Sequence, residues 1–467
     1  MNKNRLILKY IIFDMVAALF VWIAFFIFRK AVNDIKIFES FRILIPNYDY
    51  FSSLLIFPFC CVFIHYLSGF YLNPLKMVRI NLILTTISSS AIISVSVFFA
   101  LKLGDVVVSY EYFYFSLLVL FSFLFIFTFI LRNIIFSQIV HNYKTKKWTI
   151  NTLIIGTGEN AKKIATDIEN HAYQNTIIGF ITTNKKTGIS QDKVLGNLTQ
   201  IDQLINKYDI QETIVALDND TEDKELFNII NLLYKFNIEI QFTPRLFEIL
   251  IGSAKITKLE ISPLVSISKS SMPDWQQSVK RFIDILISFI SLVLLSPIIL
   301  YFSFKIKNDS KGPVFFRQER IGRYGRSFKI LKFRTMFLGS ENGTPKLSSS
   351  NDERITPVGK MLRKYRVDEI PQFWNILKGD MSLVGPRPER RYYINKITEN
   401  APYYCLLYKI KPGLTSWGPI KIGYSDTIEK MIERLNYDII YMENMSLLTD
   451  LKILIYTIEI IFNGKGI

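Results

Sequence analysis

Cysteine and histidine are nearly missing from this chain. Three cysteines in 467 residues, with Cys60 and Cys61 inside an apolar run and Cys405 alone, exclude a disulfide framework and a thiolate metal site. The three histidines, His65, His141 and His171, all precede residue 180. Acid–base chemistry in the C-terminal half therefore falls to carboxylates, tyrosines or lysines. Acidic residues are also outnumbered, 40 against 56 Lys and Arg, which leaves a net charge of +16. Such an excess suits nucleic acid, or an anionic membrane surface with phosphorylated substrates. Half of the residues are hydrophobic and 14% are aromatic. That content is concentrated near the N-terminus, so it favours the membrane and sets nucleic acid aside.

Four apolar segments, at roughly 6–28, 51–72, 80–101 and 113–140, are each long enough to supply the ~20 helical residues that cross a hydrocarbon core. The first is too long for a signal peptide and lacks a small-residue cleavage site after it. Lys3, Arg5 and Lys9 precede the first segment, Lys76 and Arg79 separate the second from the third, and Arg132, Lys144, Lys146 and Lys147 close the fourth. The loop after the first segment is also basic (Arg29, Lys30, Lys36, Arg42) but diluted by acids. Residues 1–147 are thus expected to form a four-helix transmembrane bundle with both ends in the cytoplasm. Asp14, inside the first span, is either functional or a partner for another helix.

Residues 148–263 read as an α/β domain. TINTLIIGTGENAKKIATDIEN runs from a strand through Gly156-Thr-Gly158-Glu-Asn-Ala161 into an amphipathic helix. This Rossmann-like pattern lets backbone approach a pyrophosphate at a helix N-terminus, so Gly156 and Gly158 are candidate nucleotide contacts. The bland alternative is a tight strand–helix turn. An acidic residue about 20 positions on, needed for a ribose contact, is missing, and so is a Tyr-x-x-x-Lys pair for hydride chemistry. IIGFIT, ETIVALD and FNIEIQFTP supply further strands of a parallel sheet.

A fifth apolar segment, Val279–Lys307, is interrupted by Ser296-Pro297, where proline removes a helical hydrogen bond and forces a break. Lys280 and Arg281 flank one end, and Lys305, Lys307, Lys311 and Arg317 lead a basic run at the other. Two basic ends prefer the same cytoplasmic face. The expectation is a re-entrant helix over 279–307 and not a straight span.

The rest of the chain is organised around Lys364–Glu389, KYRVDEIPQFWNILKGDMSLVGPRPE. Asp368 and Glu369 stand before a short helix that Pro371 can open and Gly379 can end. A Gly-Pro-Arg-Pro turn then holds Arg387 in extended backbone. A carboxylate pair and a pre-set guanidinium suit a phosphorylated substrate; the plain alternative makes Asp368 a helix N-cap. Upstream, FKILKF alternates like a strand and leads to Lys332 and Arg334, with Arg320 before it. Arg334 and Arg387 are the first candidates for phosphate contacts, and Lys332 and Arg320 the second. The tail, YSDTIEKMIERLNYDIIYMENMSLLTDLKILIYTIEIIF, has apolar residues at helical spacing, fit for a core or for a membrane interface.

Taken in order, Gln318-x-Arg320-x-Gly322, Lys332-Phe-Arg334-Thr-Met336, Asp368-Glu369-x-Pro371-Gln372, Gly379-Asp-Met-Ser-Leu-Val-Gly-Pro-Arg-Pro-Glu389 and Lys411-Pro-Gly-Leu-Thr415 resemble the bacterial sugar transferase family, the monotopic polyprenyl-phosphate phosphoglycosyl transferases. The resemblance covers about residue 274 to the C-terminus. With the N-terminal spans and the Rossmann-like module, the whole chain is similar to the long forms, such as undecaprenyl-phosphate galactose or glucose phosphotransferases. It implies a mainly α catalytic domain over 274–467, with the family's re-entrant helix at Ser296-Pro297. It also implies transfer of a sugar phosphate from a nucleotide diphosphosugar, with UDP the expected nucleotide, to polyprenyl phosphate in the bacterial inner membrane. Asp368 would be the nucleophile that forms a phosphosugar–enzyme intermediate, and Glu369, with Asp368, would hold Mg²⁺. The long forms further imply membrane lipids and a homodimer as partners. One departure stands out: Gly413-Leu-Thr-Ser-Trp-Gly-Pro-Ile-Lys-Ile-Gly423 replaces the family's Gly-Leu-Thr-Gly-Trp-Ala-Gln-Val-Asn-Gly. Two other readings compete. A catalytically dead membrane sensor or scaffold has no need of the intact Asp-Glu pair. A nucleotide-sugar dehydratase needs the missing Tyr-x-x-x-Lys.

Overall fold

The computed structural model describes residues 3–33, 48–102, 110–171, 174–183, 189–218, 223–234, 236, 238–243, 265–266, 271–340, 352–423 and 427–462. The expected domain end at Pro263, and Lys36 and Arg42 of the first loop, lie outside them. Two compact units divide the chain: Met1–Trp148 with Pro273–Lys280, and Thr149–Met272 with Arg281–Ile467.

In the first unit the apolar runs form α1 (Lys3–Asn33), α2 (Tyr48–Leu67), α3 (Arg79–Lys102) and α4 (Tyr110–Lys144). α1 packs on α2 and α4, and α3 packs on α4. Three of these, within Lys3–Arg29, Arg79–Ala100 and Tyr114–Lys144, are long and apolar enough to cross a membrane. The second run is shorter than the expected 51–72, because α2 stops at Leu67 and the chain turns through Ser68–Leu72. Asp14 is a packing partner: it accepts from Arg132 Nε at 2.9 Å and Nη2 at 2.8 Å, and from the Tyr71 hydroxyl at 2.6 Å. A fully buried carboxylate is tolerable only with such partners.

The second unit opens with a sheet. Its strands are β1 (Ile150–Ile155), β2 (Asn175–Thr182), β3 (Val194–Asn197), β4 (Glu212–Val215), β5 (Glu239–Phe242) and β6 (Val265–Ser266), in the order β3-β2-β1-β4-β5-β6. All neighbours are parallel except β5 and β6. Burial on both faces explains the near-continuous apolar strands. Ile154 and Phe180 pack with Ala161 and Ile164 of α5 (Glu159–His171), while Leu153 and Ile155 face Ile201 and Ile205 of α6 (Ile201–Lys207) and Ile229 of α7 (Asp223–Leu233).

The C-terminal half continues the same core. α8 (Asp274–Leu294) and α9 (Ser296–Asp309) meet at a 60° bend, where Pro297 sits in the first turn of the second arm. A hairpin follows, β7 (Phe315–Ile321) with β8 (Ser327–Phe333), then α10 (Pro357–Lys364) and α11 (Gln372–Lys378). β9 (Ser382–Val384) pairs in parallel with β10 (Gly413–Thr415). α12 (Arg391–Asn400), α13 (Trp417–Ile422), α14 (Ile428–Glu443) and α15 (Leu447–Phe462) complete it. The sheet docks on this half through α7: the Asn231 amide donates to Pro402 O at 3.1 Å, and Tyr234 meets Tyr408 edge-on at 5.6 Å between ring centroids.

Candidate active site

Asp368 is carried by a short break between two helices. α10 starts cleanly because the Thr356 hydroxyl accepts from Gly359 N at 3.0 Å, with Pro357 in its first turn. It ends at Tyr365, and the chain passes through Arg366 into a 3-10 turn, Val367–Glu369. Val367 packs with Ile306, Phe333 and Leu362, which leaves Asp368 facing an open cavity. α11 then runs to Gly379, whose φ of 97° is the left-handed stop expected of a glycine. Asp368 is not the N-cap of α11: that position belongs to Pro371, and the Asp368 carboxylate lies inside the preceding turn.

A cavity of about 380 Å³ gathers most of the candidate residues: Arg320, Lys332, Asp368, Glu369 and Arg387 all line it. Lys332 Nζ is 2.7 Å from Glu369 Oε1 and 4.0 Å from Asp368 Oδ2. Arg366 Nη1 is 3.7 Å from Glu369 Oε2, and Arg387 Nη1 is 4.0 Å from Glu369 Oε1. Asp368 is 8% exposed, and its carboxylate accepts no hydrogen bond among the described residues. The electrostatics split the pair. Burial lifts the Asp368 carboxyl above the ordinary range, against Lys332 and with help from Glu369. Burial acts on Glu369 too, but Lys332, Arg387 and Arg366 outweigh it and hold that carboxyl low.

Arg334 is placed elsewhere than expected. Although it borders the cavity, its guanidinium turns to the C-terminal end of α9, donating to Ile306 O at 3.2 Å, Ser310 O at 2.6 Å and Lys311 O at 3.1 Å. The unpaired carbonyls at a helix C-terminus are a natural seat for a cation. Those Nη donors are therefore taken up by backbone and cap α9, while the buried Nε of Arg334 has no hydrogen-bond partner among the described residues. Arg320 is also largely committed: it donates to Gln318 Oε1 at 2.7 Å and to Pro388 O at 3.1 Å, and pairs with Glu389 at 3.4 Å.

Arg387 is held by its neighbours on both sides. Gly413 N donates to Pro386 O at 2.9 Å, Gly385 N to Thr415 O at 3.0 Å and Ile321 N to Glu389 O at 3.0 Å. Arg434 of α14 reaches Glu389, which is 5% exposed, and one turn on Asp438 accepts from the backbone N–H of Arg387 and from Gly418 N. Sequence reasoning misses Arg434 and Asp438, since an Arg and an Asp four apart on a helix look like a surface pair. It also misses Asn375, whose side chain bonds Leu331 N and Lys329 O at 2.9 Å each and so stitches α11 to β8 beside Lys332.

Among the described residues no three His, Cys, Asp or Glu converge as metal ligands. The protein can offer a cation two adjacent carboxylates, one of them without a hydrogen bond among the described residues. That donor set fits Mg²⁺, which takes one or two carboxylates and completes its shell with water and substrate phosphate.

Gly156 and Gly158 lie far along the chain from this cavity, in the turn between β1 and α5. Gly156 has φ 125°, and a Cβ there would come within 2.2 Å of Ala216 O. At Gly158 a Cβ would strike the Asp218 carboxylate, 1.9 Å away. Close packing against the end of β4 accounts for both glycines, and a phosphate at this turn would face an acidic side chain.

Comparison with known proteins matches two stretches of the chain. A family described as "Bacterial sugar transferase" matches residues 275–464, and one described as "CoA-binding domain" matches residues 65–244. A UDP-N-acetylgalactosamine-undecaprenyl-phosphate N-acetylgalactosaminephosphotransferase of Aeromonas hydrophila is 37% identical over 230 residues, 49% of this chain and 54% of that protein. A UDP-glucose:undecaprenyl-phosphate glucose-1-phosphate transferase of Klebsiella pneumoniae is 36% identical over 50% of each chain. The chain thus spans about half the length of these two relatives. A Caulobacter vibrioides protein of the latter name is 38% identical over 181 residues, 38% of this chain and 68% of its own length. On the match to residues 275–464 and this last coverage, the chain belongs to the bacterial sugar transferase family.

Proposed function

We propose that this protein transfers a sugar 1-phosphate from a nucleotide diphosphosugar to a polyprenyl phosphate at the cytoplasmic face of a bacterial inner membrane. The nucleoside monophosphate is the leaving product. The relatives' names supply UDP as the nucleotide and undecaprenyl phosphate as the acceptor. One observation carries the reading: Asp368, a buried carboxylate without a hydrogen bond among the described residues, stands beside a cation-held carboxylate, Glu369, in a cavity lined by arginines and a lysine. Residues 1–147 serve as the membrane bundle and 274–467 as the catalytic domain, with α8 and α9 as the two arms of a re-entrant helix. Residues 148–263 act as a support that meets the catalytic half through α7.

Both substrates are anions, so a single direct displacement must bring two polyanions together. A two-step route avoids this. An Asp368 carboxylate oxygen attacks the phosphorus bearing the sugar, and the bond from that phosphorus to the nucleoside monophosphate breaks. A phosphate oxygen of the lipid then attacks the same phosphorus; the acyl-phosphate bond breaks and the carboxylate is restored. Each nucleophile attacks as the anion, carboxylate in the first step and phosphate in the second, so neither step needs a general base. Lys332 and Arg387 offset the charge on the transferring group, since phosphoryl transfer depends on positioning and electrostatics. Asp368 and Glu369 would hold Mg²⁺, which when bound neutralises phosphate oxygens.

The test uses purified protein in nanodiscs with Mg²⁺ and a panel of nucleotide diphosphosugars, without lipid acceptor. We expect up to one equivalent of nucleoside monophosphate and a sugar-phosphate mass shift mapping to Asp368, both abolished in Asp368→Asn. Turnover that persists in Asp368→Asn removes the residue as nucleophile. Turnover of the wild type once polyprenyl phosphate is added, with no mass shift in its absence, indicates direct displacement.

A further inference from the structure

The cavity at Asp368 changes character along its length. Residues two apart on a strand share a face, and on β7 it is Phe316, Gln318 and Arg320 that line the cavity. That face passes from apolar to cationic over four residues, about 13 Å of strand. Phe316 stands opposite Lys332 in the hairpin register, so its end is the one that holds Asp368 and Glu369. Arg320 marks the other end, with Glu389 and Arg434. At about 380 Å³ the whole cavity falls within the ~300–1,000 Å³ of ordinary ligand pockets.

At the Phe316 end the wall continues through Met336, Phe337 and Leu338. Phe316 is 43% exposed, Phe337 46% and Leu338 63%, so much of their apolar surface is left open to a ligand. Leu338 also lies against the turn after α9, where a Cβ at Gly312 would come within 2.6 Å of its Cδ1. α9 itself has two faces. Ile299, Phe302 and Ile306 pack with Val367 under the Asp368 turn, while Leu300, Tyr301 and Phe304 are more than half exposed. Apolar surface thus extends from the bent helix pair to the lysine beside Asp368. A hydrocarbon chain gains from such surface in proportion to the area it removes from water. The side chains able to hydrogen-bond a nucleotide sugar, Gln318, Arg320 and Arg390, lie toward the other end.

We propose that Phe316, Phe337 and Leu338 seat the first isoprene units of the polyprenyl phosphate acceptor, whose phosphate reaches Lys332 and Asp368 from the α9 side. This rests on the transferase reading above. The groups stand in the order that such a ligand requires: a cation 4.0 Å from the nucleophile for the phosphate, then apolar side chains leading outward to the end of α9.

The experiment compares three full chains in nanodiscs: wild type, a polar pair (Phe337→Gln with Leu338→Gln) and an apolar pair (Phe337→Leu with Leu338→Met). It measures kcat/KM for farnesyl phosphate as acceptor and kcat/KM for the donor, which on a two-step route report the two half-reactions separately. In the polar pair the acceptor kcat/KM is expected to fall about tenfold as apolar contact is lost, while the donor kcat/KM changes less than about threefold. The apolar pair should keep the acceptor value within about threefold of wild type. An equal fall in both values would assign this surface to the donor and overturn the proposal. An unchanged acceptor value would also overturn it, as would a fall in the apolar pair as large as that in the polar pair. If the wild type turns over no donor–acceptor pair, the transferase reading fails by itself. Direct binding of farnesyl phosphate to wild type and the polar pair then decides: about tenfold weaker binding by the variant supports the proposal, and equal binding overturns it.

Discussion

Asp368 and Glu369 are neighbours in sequence with opposite electrostatic surroundings. Glu369 takes the closer contacts of Lys332, Arg366 and Arg387, while the Asp368 carboxylate accepts no hydrogen bond among the described residues. A carboxylate that is buried yet lightly held is a better nucleophile than one anchored by several donors. Asp438 behaves as a third kind of buried acid. Burial lifts it from 3.8 to about 6, against the pull of Arg434 and of the Gly418 and Arg387 backbone N–H groups; Tyr404 and Tyr441 also face it. A raised folded-state value means that the protonated acid favours the fold. That contribution is complete below the ordinary value and is lost as pH rises through about 6. Asp438→Asn should therefore be more stable than wild type at pH 8, by about 3 kcal/mol at most. The advantage should vanish near pH 4. Unfolding temperatures of the two proteins across that range check this, and a variant less stable at pH 8 would refute it.

At the scale of elements, the two arms of the bent helix are fastened by two arginines. Arg281 on α8 donates to Ile376 O at 2.7 Å and to Leu377 O at 2.9 Å, at the end of α11. Arg334, after β8, caps α9. The Asp284 carboxylate adds a bond from Leu383 N at 3.0 Å, which ties α8 to β9. The apolar helix pair is thus coupled to the very elements that carry Asp368 and Arg387. Arg334→Met is expected to lower the unfolding temperature, with a loss of about 2–3 kcal/mol for the charged hydrogen bonds to carbonyl oxygens. Its donor KM should change much less than that of Arg387→Ala. A donor KM that rises equally in both variants would return Arg334 to the phosphate site.

For the whole molecule, charge and the bend together support the re-entrant arrangement proposed for α8 and α9. Lys280 and Arg281 precede the apolar pair and Lys305, Lys307 and Lys311 close it, so a straight span would place one basic end outside. The 60° bend between α8 and α9 is compatible with the proposed pair returning to its own side and equally with a broken span. With Cys60, Cys61 and Cys405 replaced, single cysteines at positions 280 and 311 should both react with a membrane-impermeant reagent only after the cytoplasmic face is opened. Labelling of the two positions from opposite faces would show a kinked span. The sheet's role is also a matter of the whole chain. Asn231 of α7 and Tyr234 just after it meet the segment Pro402–Lys409, which packs in turn on α12 and α14.

Features written in a few consecutive residues are determined by the sequence alone. The apolar runs, the glycine turn after β1, the proline break at 296–297 and the helix stop at Gly379 depend on local backbone preference and local hydrophobicity. The Asp368-Glu369 pair and the Gly-Pro-Arg-Pro turn are legible for the same reason, since each places its own charge by its own backbone. Which charges meet is decided by tertiary packing. Arg334 and Arg387 look alike in sequence, yet one is drawn to the carbonyls of α9 and the other stays over the cavity. Asn375 becomes a link because β8 lies beside it, and Asp438 becomes a buried acid because the Arg387 turn folds onto α14. The length of α2 and the left-handed backbone of Arg366 likewise depend on what surrounds them. A side chain's partners are set by contacts tens of residues away, and a single sequence records the donor without recording which acceptor the fold will bring to it.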